Sequence, residues 1–258
     1  MGEATIGMIG GGRVSRILLG GWKRANWSLP QVVVSDTDAG TRERLAAEFP
    51  SIVTTPDNRE AARQGLLLFA LHPPAFPGVL AEIGEVVSSD AILVSLAPKW
   101  TMGRISGLLG GFNRLARVIP NAPSIVDKGY NPLSFSEHLA AEDRARVLSL
   151  FTPLGACPEV PEDTLEAYAI VAAMGPTYLW YQLYQLIDLG CQFGLTREVA
   201  TQAVAAMVNG AVETMTAAGL QPDGVMDLIP VKPLASLEPS VKDAYGTLLA
   251  ALHGKLKG

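Results

Sequence analysis

The sequence predicts an α/β chain, a doubly wound parallel sheet followed by an all-α segment. Three observations lead there. The chain opens with an apolar strand that runs into a glycine turn and then a helix, Thr5-Ile6-Gly7-Met8-Ile9-Gly10-Gly11-Gly12-Arg13-Val14-Ser15. Continuous apolar runs then alternate with helical patterns to about Val160, the pace of strands covered on both faces. Beyond that point the pattern is helical only.

The opening turn has a specific chemical meaning. A pyrophosphate needs backbone N–H groups aimed at it, a positive helix end behind them and no side chains in the way. Gly10 and Gly12 remove those side chains, and Gly11, Arg13 and Val14 complete the turn and the first helical residues. Ser15 takes the third place of the G-x-G-x-x-G/A fingerprint, small enough for the helix to pack on the strand. A second strand, Gln31 to Asp36, ends in an acid 24 residues after Gly12, near the spacing of a carboxylate that binds an adenosine ribose. Strand, turn, helix, second strand and acid together point to a bound dinucleotide, with Asp36 and Thr37 at its ribose.

The later elements follow in order. Thr41 to Glu48 reads as a helix, Gly65 to Leu71 as a buried strand and Phe76 to Val87 as a helix. Ala91 to Leu96 and Leu115 to Ile119 are further strands, Ala140 to Phe151 is a helix, and Gly155 to Val160 is a last strand. Pro161-Glu162-Asp163 is a stop and an N-cap, so the boundary is placed there, with domains 1–160 and 161–258. Asp163 to Phe193 reads as one long helix kinked at Pro176. Thr196 caps a helix from Arg197 to Ala217 that Gly219 ends, and short helical pieces follow near Asp223 to Leu228 and Pro239 to Lys255. Two long apolar helices cannot bury all their faces on each other, so a second subunit is the natural cover.

Composition narrows the partners. Net charge is −5 and basic residues cluster only in the His253 to Lys257 tail, which argues against nucleic acid. Cys157 and Cys191 have no metal-ligand spacing and read as small buried hydrophobes in a reducing compartment. Ala167 to Ile187 has no charged residue and the length of a membrane span, but Gly175-Pro176, Gln182 and Gln185 and the lack of basic flanks favour a buried interface helix. The glycines at positions 7 and 10–12 interrupt any signal-peptide core. The expectation is a cytoplasmic protein with no metal, no membrane and a small-molecule substrate.

These residues carry a resemblance over nearly the whole chain: the sequence is similar to the pyrroline-5-carboxylate reductase family. The opening Ile-Gly-x-Ile-Gly-x-Gly resembles that family's first strand and turn, and Leu71-His72-Pro73 stands where the family has Val-Lys-Pro. Ala91 to Ala97 resembles its Ser-Ile-Ala-Ala strand, and Arg117-Val118-Ile119-Pro120-Asn121-Ala122-Pro123 its Arg-Val-Met-Pro-Asn-Thr-Pro. Gly175-Pro176-Thr177-Tyr178, Asp188-Leu189-Gly190 and Gly194 to Glu198 match in register in the second half. The resemblance implies an N-terminal Rossmann domain, a C-terminal helical dimerisation domain, a homodimer or an assembly built from it, and substrate bound between the domains. Leu71, His72, Pro73 and Asn121 join the cofactor-binding set, because strand ends in open α/β sheets face the cofactor.

Departures fall where the family does its chemistry. Its Ser-Gly-Ser-Gly-Pro is Ala172-Ala173-Met174-Gly175-Pro176 here, and its carboxylate-binding Ser-Pro-Gly-Gly-x-Thr is Ile229-Pro230-Val231-Lys232-Pro233-Leu234. Pro233 has no N–H for an anion nest. Lys232 is a candidate replacement partner for a substrate carboxylate. A protonated imine accepts hydride with no further general acid, whereas a ketone needs a proton donor near its oxygen. Asn121, Tyr178, His72 and Lys232 are the catalytic candidates. Asp36-Thr37-Asp38 favours NAD over NADP by repelling a 2′-phosphate. Three functions stay in view: an NAD(P)H-dependent reductase of this type acting on a small cyclic imine or related C=N or C=O compound, the literal family activity of proline biosynthesis, and a catalytically silent dinucleotide-binding dimer.

Overall fold

The computed structural model describes residues 5–28 and 31–257. Strands β1 (Ile6–Ile9), β2 (Val32–Ser35), β3 (Val53–Thr55), β4 (Leu66–Phe69), β5 (Ile92–Ser95), β6 (Leu115–Val118), β7 (Gly129–Tyr130), β8 (Leu133–Phe135) and β9 (Gly155–Ala156) carry the sheets. The 7-stranded sheet runs β3-β2-β1-β4-β5-β6-β8, parallel throughout except at the antiparallel pair of β6 and β8. Strand order reverses on either side of β1, so the topological switch point lies between β1 and β4.

Helices α1 (Arg13–Arg24), α2 (Ala39–Glu48), α3 (Asn58–Ala62), α4 (Phe76–Ile83), α5 (Met102–Leu108) and α6 (Ala141–Phe151) cover the faces of that sheet. Each central strand is buried at every position because both faces are packed, and β4 is apolar throughout. In β4, Leu66 and Leu68 join the cluster with Leu18, Trp22 and Phe151, while Leu67 and Phe69 join the cluster with Phe76, Leu80 and Ile105. Trp22 is fully buried yet satisfied, its Nε1 donating to the Leu150 carbonyl at 2.6 Å.

Further on lie α7 (Leu165–Tyr168), α8 (Pro176–Gln192), α9 (Arg197–Ala217), α10 (Pro222–Asp227), α11 (Glu238–Ala244) and α12 (Ala250–Lys257). Contacts divide the chain into one compact unit running to Met174 and resuming at His253, and a second spanning Gly175–Leu252. In the second unit α8 packs on α9 at small residues, where a Cβ on Gly190 would stand 3.0 Å from the Cβ of Ala200. Thr196 caps α9 by accepting from the Val199 N–H, and Asp188 pairs with Arg197 at 2.5 Å. Large apolar side chains stay uncovered on both helices, among them Tyr181 at 67% and Met215 at 63% exposure.

Three sequence expectations change. The expected long helix from Asp163 to Phe193 is broken: a 3-10 turn at Glu162–Thr164 and α7 lead into a π-helical turn at Ala169–Ala173, and Pro176 is the first residue of a new helix instead of a kink within one. The expected strand Gly155 to Val160 shrinks to β9, which pairs with β7 in a separate 2-stranded sheet. The last helix contains a π-helical turn at Tyr245–Leu249 between α11 and α12. No helix among the described residues is long and apolar enough to cross a membrane.

Candidate functional site

The carboxyl ends of β1, β2, β4 and β5 open on one cleft of about 400 Å³. Gly10, Gly12, Arg13, Val14, Asp36, Leu71, His72 and Pro73 line it, so most of the cofactor-binding set is brought together. Ala70, Leu96, Ala97 and Pro98 also line it and were not singled out from the sequence. The signal for them was the strand itself, since every parallel strand ends at this edge.

The turn after β1 is built for close approach. Gly10 adopts φ +98, and a Cβ there would lie 2.6 Å from the Ala70 carbonyl oxygen. Ser15 is buried and its hydroxyl donates to the Gly10 carbonyl, so the third fingerprint residue ties α1 to the turn. Gly12 is the N-cap of α1, its φ −72 and ψ −157 are open to any residue, and no side chain caps the helix there. A Cβ on Gly12 would meet no protein atom within 4 Å. Open space over an uncapped helix N-terminus is what a dinucleotide pyrophosphate requires, so the residues fit the group.

Asp36 is held firmly at the end of β2. Its Oδ2 accepts from the Gly11 N–H at 2.8 Å and its Oδ1 from the Asp38 N–H at 2.9 Å. Each oxygen keeps a lone pair for a ribose hydroxyl. The two nearby arginines are engaged elsewhere: Arg42 donates to the Asp36 and Thr37 carbonyls at 2.7 and 3.1 Å, and Arg44 donates to the Thr41 hydroxyl at 2.9 Å. Hydrogen bonds from Thr41 hold the Asp38 carboxyl below its usual range.

Gly11, Thr37, Asn121, Tyr178 and Lys232 do not line the cleft. Gly11 is buried and Thr37 is exposed. Asn121 is buried with its side chain engaged: Oδ1 accepts from the Tyr130 N–H at 3.0 Å and Nδ2 donates to the Ala172 carbonyl at 3.3 Å. It thereby joins the loop after β6 to the π-helical turn. Tyr178 and Lys232 belong to the second unit. The Tyr178 ring meets Tyr245 edge-on at 5.7 Å, and burial, then Tyr245, pushes its phenol up, so it stays protonated at neutral pH. Lys232 lines a shallow cavity with Pro233, Leu234 and Glu238. His72 is exposed at the cleft, and its loop is anchored by Trp100, whose Nε1 donates to the Pro73 carbonyl at 2.9 Å.

Beneath the site lies a buried charge cluster. Arg117, fully buried on β6, gives Nη2 to Glu166 at 2.6 Å and Nη1 to Glu162 at 3.1 Å. Glu166 also accepts the Lys99 N–H at 2.9 Å and Glu162 the Met102 N–H at 2.7 Å. Burial alone would raise Glu166, but Arg117 and the Lys99 amide outweigh it and hold the carboxyl below its usual value. The cluster clamps the segment after β5, which carries the cleft wall, onto β6 and α7.

Over residues 5–99 the chain matches a family model described as NADP oxidoreductase coenzyme F420-dependent, and over residues 162–232 one described as pyrroline-5-carboxylate reductase dimerisation. The pyrroline-5-carboxylate reductase of Mycobacterium leprae is 26% identical over 265 residues, covering 99% of this chain and 90% of that protein. Pyrroline-5-carboxylate reductase 2 of Homo sapiens is 28% identical over 216 residues, covering 82% of this chain and 68% of its own length. Among solved structures, the Plasmodium falciparum pyrroline carboxylate reductase with NADP bound shares the fold, with TM-score 0.84 at 23% identity and coverage of 99% and 97%. With two matched segments in this order and relatives alike along nearly the full chain, the protein is similar to the pyrroline-5-carboxylate reductases.

Proposed function

We propose that this chain is an NAD(P)H-dependent reductase of the pyrroline-5-carboxylate reductase type, reducing the C=N bond of a small cyclic imine. The observation that carries the reading is the single cleft at the strand ends, where the uncapped, open glycine turn and the fixed Asp36 carboxylate stand together. A reduced nicotinamide, when bound, supplies the hydride. The turn and the first amides of α1 hold the pyrophosphate, Asp36 holds the ribose, and Leu71, Pro73, Leu96 and Ala97 form an apolar wall that excludes water. His72 stands at the mouth of the wall. A protonated imine takes the hydride at carbon and becomes a neutral amine, so positioning is the protein's main task. Asn121 contributes as a positioning residue through the loop it joins. NADH oxidation in the presence of 1-pyrroline-5-carboxylate, other cyclic imines and simple ketones tests the reading; binding of NADH with no turnover of any of them contradicts it.

NADH is the preferred cofactor. The Asp36 carboxylate repels a 2′-phosphate, and Arg42 and Arg44 would have to give up their local hydrogen bonds to turn toward one. We expect NADH to bind at least about tenfold more tightly than NADPH, a difference of about 1.4 kcal/mol. Asp36→Ser should narrow the ratio toward parity by fluorescence titration, and equal affinities in the parent protein would contradict the assignment.

The active form is a homodimer built on the uncovered faces of α8 and α9. Contiguous apolar side chains of this kind mark an interface. Sedimentation should give twice the chain mass of 27.3 kDa. Tyr181→Glu should shift the protein toward monomer, and a monomeric parent protein would contradict the assembly.

A further inference from the structure

A second cavity of about 450 Å³ in the first unit is lined by Lys99, Arg104, Asp163, Glu166 and Lys257, among others. Pro98 lines the dinucleotide cleft and Lys99 lines this cavity, so consecutive residues after β5 reach both. In a doubly wound sheet the adenosine half lies over β1 to β3 and the second nucleotide over β4 to β6, which puts Lys99 at the nicotinamide end.

Charge in the cavity is unbalanced. Glu166 is already answered by Arg117 at 2.6 Å. Arg104 is a strut, with Nη1 donating to the Lys99 carbonyl at 3.2 Å and its guanidinium 4.5 Å from the Trp100 ring. Among the described residues neither Lys99 nor Lys257 forms an ion pair, and Asp163 is the one remaining acid on the wall. The backbone adds an independent mark. Lys99 adopts φ 77, a conformation that glycine takes without strain, and it is held there from both sides by the Glu166 carboxylate on its N–H and Arg104 on its carbonyl. The backbone is thus fixed by its neighbours, and it presents an ammonium with no ion pair among the described residues one position from the Pro98 that lines the cofactor cleft. Lys232, by contrast, has an acid beside it, since its charge helps hold Glu238 below its usual value after the larger effect of Lys242.

We propose that Lys99, with Lys257, is the substrate-carboxylate site: the ammonium groups take the carboxylate of an anionic cyclic imine and direct its ring toward Pro98 and Ala97. The proposal rests on the reductase reading for its place beside the cofactor. It is tested on the full chain with NADH and two imines, 1-pyrroline-5-carboxylate and the uncharged 1-pyrroline, and with L-proline as a binding probe in the presence of NAD⁺. Lys99→Gln should raise KM for the carboxylate imine at least tenfold and leave KM for 1-pyrroline unchanged. Lys99→Arg should restore most of the affinity. Lys99→Gly should lose carboxylate recognition while melting higher than the parent, which separates loss of charge from loss of fold. An unaltered KM in Lys99→Gln, or the same loss on both imines, would overturn the site and leave the reductase standing. If no imine is reduced, L-proline binding decides: weakening in Lys99→Gln upholds the anion site without the reductase, whereas no L-proline binding by the parent, or equal binding by both, overturns it.

Discussion

Gly12→Asp should abolish dinucleotide binding while leaving the fold as stable as before. The two effects separate because of where Gly12 stands. It is the N-cap of α1 in an extended conformation, and its Cβ position is empty to 4 Å. An aspartate fits there without strain, and as an N-cap residue it accepts from the first helical amides, worth a few tenths of a kcal/mol over glycine. Those amides are the ones a pyrophosphate would use, and the new carboxylate also sits beside two phosphate charges. Like charges about 4 Å apart near a protein surface cost about 4 kcal/mol. The expected result is a loss of at least about 100-fold in NADH affinity, about 2.7 kcal/mol, with an unchanged or slightly higher Tm. Unchanged affinity in Gly12→Asp would remove the cleft as the cofactor site.

Arg117→Met should be the most damaging single change in the first unit. Removing the guanidinium leaves the Glu166 carboxylate, 5% exposed, without its ion-pair partner, which typically costs about 3–5 kcal/mol. Acidity supplies a sharper signature. In the parent protein the Glu166 carboxyl is held below its ordinary value of 4.5, so its contribution is present above that pH and is lost as pH falls through the folded-state value. Without Arg117, burial is opposed only by the Lys99 and Glu166 backbone amides and the carboxyl rises, so the variant carries a penalty at neutral pH that is relieved on acidification. Denaturant unfolding should therefore show the gap between parent and variant narrowing from pH 7 toward pH 4. A gap constant across that range would show that Glu166 is not the group Arg117 neutralises.

The central strands were legible because both faces are buried, leaving mostly apolar runs such as Leu66–Phe69 and Ile92–Ser95. Helix α9 was legible at both ends because Thr196 and Gly219 mark them. What was missed is short or lies at edges. Strand β3 is a three-residue edge with one buried side chain, β8 is three residues added antiparallel after Pro132, and α5 is seven residues with Gly103 and Gly107 inside. The π-helical turn at Ala169–Ala173 keeps a helical composition, so periodicity could not separate it from an α-helix.

The site divides in the same way. The glycine turn and Asp36 follow from local spacing. The cluster of Arg117 with Glu162 and Glu166 joins residues 45 and 49 positions apart, which no local pattern reveals. Asn121 was read as a site residue from its stiff loop, and its side chain holds that loop to Tyr130 and Ala172. The backbone of Lys99 is held by the distant Glu166 and by Arg104, so its sign of φ could not be read from Pro98-Lys99-Trp100 alone.

Isotope transfer tests imine reduction by this protein at the bond that forms. Incubating the full chain with NADH deuterated at the transferring position and with 1-pyrroline-5-carboxylate, then weighing the product by mass spectrometry, reads the hydride step itself. One deuterium on the former imine carbon, lost in Gly12→Asp, is the expected result. A reduced product without deuterium, or no reduced product from any cyclic imine despite tight NADH binding, would contradict the assignment of this chain as an imine reductase.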